Sequence, residues 1–189
     1  MRERHHAFTL IELLVVIGII ALLVSILLPV LSSVRRQANR TRCQAQLRDI
    51  GASFTMYMTD SRGFLPGVNT MPSIQPPLNK FPSIVKLLQP YIRTAVKVFH
   101  CPADQITKVT ANAPTEFETY FEREGSSYLY NPFLVLLAGT HTTAKSPFAL
   151  GHPEAVTIID EYEPFHGKSD VPGSMNHLFA DGHVGILEN

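Results

Sequence analysis

Three groups of side chains in this sequence have the types and spacing to do chemistry. The first is a single carboxylate, Glu12, set inside the otherwise apolar run Ala7 to Leu31, AFTLIELLVVIGIIALLVSILLPVL. A charge in a membrane helix costs roughly 2.5 to 3.5 kcal/mol on insertion scales, so the chemistry expected of Glu12 is ion pairing. The alternative is that Glu12, near a helix end, snorkels to the interface. The second group crowds the final third: Asp160, Glu161, Glu163, His166, Asp170, His177, Asp181 and His183. Within it Asp160, Glu161, Glu163 and Asp170 are calcium candidates, since carboxylates and carbonyls of one loop supply the oxygen ligands that ion takes. No EF-hand spacing is present, and a solvated polar loop explains the same residues. The third group is Cys43 and Cys101, whose spacing is no metal motif.

Enzymatic patterns are missing. There is no G-x-S-x-G elbow, H-E-x-x-H helix, Walker loop or glycine-rich dinucleotide fingerprint, and neither cysteine has an identifiable base beside it. Gly151, His152 and Glu154 read as a loop ahead of a strand. Catalysis has no foothold, and no cofactor is called for apart from the calcium candidates.

The element that must position Glu12 is a helix. From Phe8 to Leu31 it would be about 36 Å long at 1.5 Å per residue, enough to cross a hydrocarbon core of about 30 Å with some tilt. A cleavable secretory signal would have a shorter apolar core and a small-x-small site after it; here the run leads into Pro29 and Arg35 without one. Gly18 and Pro29 lie inside the segment and could bend it, as membrane helices tolerate both when freed backbone groups find other partners. Beyond the membrane the helix continues to about Asp60, because Cys43, Leu47, Ile50, Phe54 and Tyr57 with Met58 recur at three- and four-residue steps. Arg42, Gln46, Asp49 and Ser53 lie off that stripe, toward water. SRGFLPG then ends the helix through Gly63, Pro66 and Gly67, and a proline-rich loop runs from Pro72 to Pro82.

Ser83 to Tyr91 reads as a short helix capped by Ser83, with Ile84, Leu87 and Leu88 inward. Ala95 to Cys101, Ser127 to Tyr130 and Val156 to Tyr162 read as strands, and Asp104 to Glu124 is ambiguous. NHLFADGHVGILEN reads as a hairpin with Asp181 and Gly182 as the two central residues of a type I′ turn. That register pairs Ala180 with His183 and Phe179 with Val184, and it puts His177 and His183 on opposite sheet faces, where they cannot share an ion.

These residues carry a resemblance. HHAFTLIELLVVIGII resembles the processing site and first helix of type IV pilins and type II secretion pseudopilins. The resemblance implies cleavage between Ala7 and Phe8 by a prepilin peptidase, which then methylates the new amine; Ala7 stands where that family most often has glycine. It also implies that Glu12 of one subunit meets the terminal amine of its neighbour in a filament, a pair whose net stabilisation is small but whose loss of one partner is costly. CQAQLRDIGASFTMYMTDSRGFLP, FHCPAD, SSYLYNP and HLFADGHV resemble a pseudopilin-like group with a carboxyl-terminal His-X9-Asp-Gly signature. Here the signature is incomplete: Val171 lies ten residues before Asp181, and the nearest earlier histidine is His166.

The fold class expected is α+β and pilin-like: a leader over 1–7, a transmembrane and assembly helix over 8–31, its amphipathic continuation over 32–60, and a globular domain with a small antiparallel sheet over 61–189. Arg35, Arg36, Arg40, Arg42 and Arg48 after the helix outnumber Arg2 and Arg4 before it, which by charge alone favours a cytoplasmic carboxyl-terminal domain. The resemblance implies the reverse, with the amino terminus cytoplasmic, one pass through the inner membrane and the domain in the periplasm. Long domains translocate largely regardless of charge, so the resemblance is preferred. In that oxidising compartment Cys43 and Cys101 are expected to form a disulfide, closing a loop worth roughly 4 kcal/mol in the chain-entropy model; two buried thiols are the alternative. Sixteen basic and sixteen acidic residues give zero formal charge, which argues against nucleic acid as a partner.

The function implied is a structural subunit that assembles with copies of itself and other pilin-like subunits into a type II secretion pseudopilus or type IV pilus-like filament, supporting protein secretion. Its other partners would be the prepilin peptidase, an assembly platform and membrane lipid. Two readings from other classes stand beside it: a non-polymerising, single-pass anchored binding module facing the periplasm, and an anchored metal-dependent hydrolase.

Overall fold

A computed structural model describes residues 10–70, 81–92, 96–106, 118–131, 134, 156–167, 171 and 173–187. Ala7, Phe8, most of the proline-rich loop, Gly151, His152, Glu154 and Asp170 lie outside the described residues. The chain divides into two compact units, Met1–Ala38 and Asn39–Asn189.

One helix, α1, runs from Leu10 to Asp60. Neither Gly18 nor Pro29 ends it. Hydroxyls beside the proline find acceptors on the preceding turn: Ser25 Oγ donates to the Leu22 carbonyl at 2.7 Å and Ser32 Oγ to the Pro29 carbonyl at 2.9 Å. In the first unit every large apolar side chain from Leu10 to Val34 is exposed, from 44% at Val24 to 81% at Leu10. A helix apolar on all sides is the kind that lipid or neighbouring helices must cover.

The second unit holds the core. Cys43, Leu47, Ile50 and Phe54 of α1 are buried, with Tyr57 and Met58 packed against them. The buried face is wider than the apolar stripe, because Ser53 and Gly51 are buried too. Ser53 corrects the expectation that it faces water; its hydroxyl donates to the Asp49 carbonyl at 2.9 Å, so burial leaves it satisfied. The helix ends where Arg62 and Gly63 take positive φ of 53° and 79°, with the Gly63 N–H returning to the Met58 carbonyl at 2.8 Å.

Helix α2, Ile84–Leu88, starts at Ser83, whose hydroxyl accepts from the Lys86 N–H at 3.3 Å. The strand expected over Ala95 to Cys101 is not formed: Val96–Phe99 is a 3-10 turn. Its backbone groups are met within the turn and by one distant residue: the His100 N–H donates to the Lys97 carbonyl at 3.2 Å, while Ser127, just ahead of the Tyr128–Tyr130 strand, donates its N–H to the Phe99 carbonyl at 2.8 Å and accepts the Cys101 N–H on Oγ at 3.0 Å. Among the described residues no strand pairs with it, and a short apolar alternation without such a partner is too weak to fix strand geometry. Helix α3, Tyr120–Glu124, occupies the end of the stretch the sequence left ambiguous, between the Thr119 cap and Gly125 in the left-handed region.

Strands β1 (Tyr128–Tyr130), β2 (Thr157–Glu161), β3 (His177–Phe179) and β4 (Val184–Gly185) form one antiparallel sheet in that order. Tyr128, Tyr130, Ile159 and Leu178 join the buried residues of α1 in a single core. An added Cβ at Gly51 would stand 2.8 Å from Leu178 Cδ1, so the absent side chain lets helix and sheet close together.

The hairpin register differs from the expected one. His177 pairs with Gly185 and Leu178 with Val184, while the Phe179 N–H reaches the His183 carbonyl at 2.9 Å. The loop therefore has three residues, Ala180, Asp181 and Gly182. A type I′ turn needs positive φ at both central residues, and here only Gly182, at 89°, has it. Ala180 instead donates its N–H to the Val156 carbonyl at 2.8 Å, which draws it away from β4. A one-residue change moves side chains to the other face. His177, Phe179 and His183 consequently share a face, correcting the opposite-face placement, with the Phe179 ring stacked on His183 at 4.1 Å.

Candidate functional site

Two regions carry the residues singled out in the sequence. The first is the amino-terminal half of α1. Glu12 lies near the start of the described part of α1. Around and after it lies the exposed apolar surface. The helix includes an 18-residue stretch of mean hydropathy 3.1 and is long and apolar enough to cross a membrane.

The second region is polar and interior. Asp160 and Glu161 are adjacent in β2, so their side chains leave opposite faces of the sheet. Asp160 meets His177, Oδ1 to Nδ1 at 2.7 Å. Glu161 turns inward and is fully buried: Oε2 accepts from the Asn176 N–H at 3.0 Å, and Oε1 accepts from Asn176 Nδ2 at 2.8 Å and lies 3.1 Å from His166 Nε2. Glu163 accepts a short hydrogen bond from the Tyr120 hydroxyl. The described carboxylates of the expected calcium set thus face three different partners, and they do not converge on one point. Asp181 accepts from the His183 N–H at 3.0 Å within its turn. Its slight burial acts to raise its carboxyl, but the bonds to the His183 backbone and ring outweigh that and hold it below the usual carboxylate range.

Cys43 and Cys101 are joined in a disulfide with Cα atoms 5.2 Å apart, tying α1 to the segment ahead of Pro102. His166 Nε2 lies 3.7 Å from Cys101 Sγ. A buried cluster of disulfide, imidazole and carboxylate results. Sequence reading counted His166 and Glu161 among the acidic and histidine-rich crowd but had no means to place them against the cysteines, which lie far earlier in the chain. It missed Asn176, which orients Glu161, and Asp104, which is buried beneath α3. Burial pushes the Asp104 carboxyl above the usual range, against hydrogen bonds from Ser127, Tyr120 and Phe121 that act to lower it.

The model of the prokaryotic N-terminal methylation motif matches residues 2–28, a span that includes Ala7, Phe8, Glu12 and Gly18. The type IV wide pilus major component of Thermus thermophilus is 46% identical over 57 residues, which is 30% of this chain and 44% of that protein. The match thus spans less than half the length of this relative. No solved structure gives a significant match.

Proposed function

We propose that this type IV pilin-like chain is a filament subunit, cut between Ala7 and Phe8 by a prepilin peptidase, methylated at the new amine and polymerised through α1. The observation that carries the reading is the surface of residues 10–34, apolar on all sides and exposed, with one carboxylate near its start. A membrane covers that surface before assembly, and neighbouring copies of the same helix cover it afterwards. Cleavage leaves an ammonium about one helical turn before Glu12, and methylation keeps its charge. The pairing of that cation with Glu12 of the next subunit sets the axial register, because misplacing either charge in a low-dielectric bundle is costly.

Within this reading the domain after α1 lies in the periplasm, the chain crosses the inner membrane once, and the filament is a secretion pseudopilus or a pilus built on an assembly platform with other pilin-like subunits. The membrane half supports both filament types equally.

Replacing Glu12 by alanine tests the reading. Membrane insertion and steady-state level should stay as in the wild type, while the amount recovered in sheared surface filaments falls at least about tenfold, the effect of losing one partner of a buried pair. Unchanged incorporation would contradict the pairing.

A further inference from the structure

Cys43, Cys101, Glu161 and His166 bring two sulfurs, a carboxylate oxygen and an imidazole nitrogen within 4.8 Å of one another. They arrive from α1, the segment ahead of Pro102, the end of β2 and the loop after it. The side chains of His166 and Glu161 are 2% and 0% exposed. A disulfide packed for stability alone requires only apolar neighbours, and sealing an imidazole and a carboxylate beside it costs desolvation. The same nitrogen, His166 Nε2, faces both Cys101 Sγ at 3.7 Å and Glu161 Oε1 at 3.1 Å, so three donor types point at one small volume.

In the oxidised protein this is no metal site, because disulfide sulfurs carry no charge and ligate poorly. We propose that the reduced protein binds one zinc-class divalent ion through the Cys43 and Cys101 thiolates, His166 Nε2 and Glu161, and that oxidation to the disulfide releases it. Two thiolates, one imidazole and one carboxylate form a borderline-soft set suited to tetrahedral zinc. Donors on bonds of about 2.0 to 2.3 Å around one tetrahedral centre lie about 3.3 to 3.8 Å apart, close to the present imidazole separations. The bonded sulfurs must part, and the other donors, all within 4.8 Å, need move by about 1 Å. Asn176, bonded to both carboxylate oxygens of Glu161, supplies the outer support that fixes a ligand's direction.

The release step balances by thiol–disulfide exchange with a small-molecule or protein disulfide. One cysteine thiolate attacks the oxidant's sulfur and expels a thiolate. The second attacks the mixed disulfide, forming the Cys43–Cys101 bond and expelling the other. Two electrons pass from the cysteine sulfurs to the oxidant, and the ion leaves with its charge unchanged. Before oxidation, the metal would hold α1 to the sheet and shield both thiols from other chains.

The test uses untagged full-length chain in detergent, reduced with a phosphine and titrated with Zn2+ against a chromogenic chelator, with native mass spectrometry for stoichiometry. One equivalent should bind to the reduced protein and none to the oxidised protein. Cobalt(II) should give thiolate charge-transfer and tetrahedral d–d bands. His166→Ala and Glu161→Gln should each weaken binding at least about tenfold, and Asn176→Ala about 10- to 100-fold. Adding oxidised glutathione should free one Zn2+ per disulfide formed. If reduction alone loosens the fold, circular dichroism should show zinc restoring it. Absence of stoichiometric binding together with no restoration would overturn the proposal, as would binding indifferent to both His166→Ala and Glu161→Gln, which would leave only an adventitious dithiol.

Discussion

One buried carboxyl shows how much a single side chain organises in this protein. Asp104 Oδ1 accepts from the Tyr120 N–H at 3.0 Å, and Oδ2 accepts from the Phe121 N–H at 2.8 Å and the Ser127 hydroxyl at 2.6 Å. Ser127 Oγ in turn accepts from the Cys101 N–H. Through it the start of α3, the head of β1 and the disulfide segment are one network. Asp104→Ala leaves buried donors without an acceptor and should lower stability by about 1 to 3 kcal/mol in urea unfolding. The pH dependence has a definite sign. The folded carboxyl is raised, so the stability linked to its proton is present below the ordinary carboxylate value and is lost as pH rises through the raised one. The destabilisation by Asp104→Asn should therefore be largest in acid and shrink as pH increases; growth with pH would contradict the assignment. Asp104 was not legible in the sequence because its partners lie 16, 17 and 23 residues away, with no local spacing to announce them.

Elements were legible where their periodicity was long. The carboxyl half of α1 repeats its apolar positions over several turns, and Cys43, Leu47, Ile50 and Phe54 are buried accordingly. Short elements were decided by tertiary partners instead: Val96–Phe99 forms a 3-10 turn joined to Ser127 through the Phe99 carbonyl, and the hairpin gains a loop residue because Ala180 bonds to Val156. The close approach at Gly51 was also outside the reach of pattern, since the apolar stripe does not reveal which helix backbone position meets a facing side chain. Gly51→Val adds a branched side chain where even a Cβ would stand 2.8 Å from Leu178 Cδ1. Thermal or urea unfolding should show a loss of about 1 to 3 kcal/mol from overpacking. Ala52→Val, one residue on and exposed, should change stability by less than about 1 kcal/mol. Equal effects at the two positions would mean that the helix does not seat on the sheet at Gly51.

At the scale of the whole molecule, the sequence divides its labour between a long apolar segment and an α+β unit stapled by one disulfide. The fold class could be read because both halves leave strong signals: an 18-residue stretch of high hydropathy in one and a cored helix with a terminal hairpin in the other. The arrangement of the polar interior could not be read, because it depends on which distant segments meet. Assembly through α1 is the central claim, and intact-mass and peptide mass spectrometry of the chain from sheared, purified filaments tests it most directly. The account predicts a mature amino terminus at methylated Phe8, with Met1 to Ala7 gone; filaments lacking the chain, or a chain that keeps Met1 to Ala7, would contradict it.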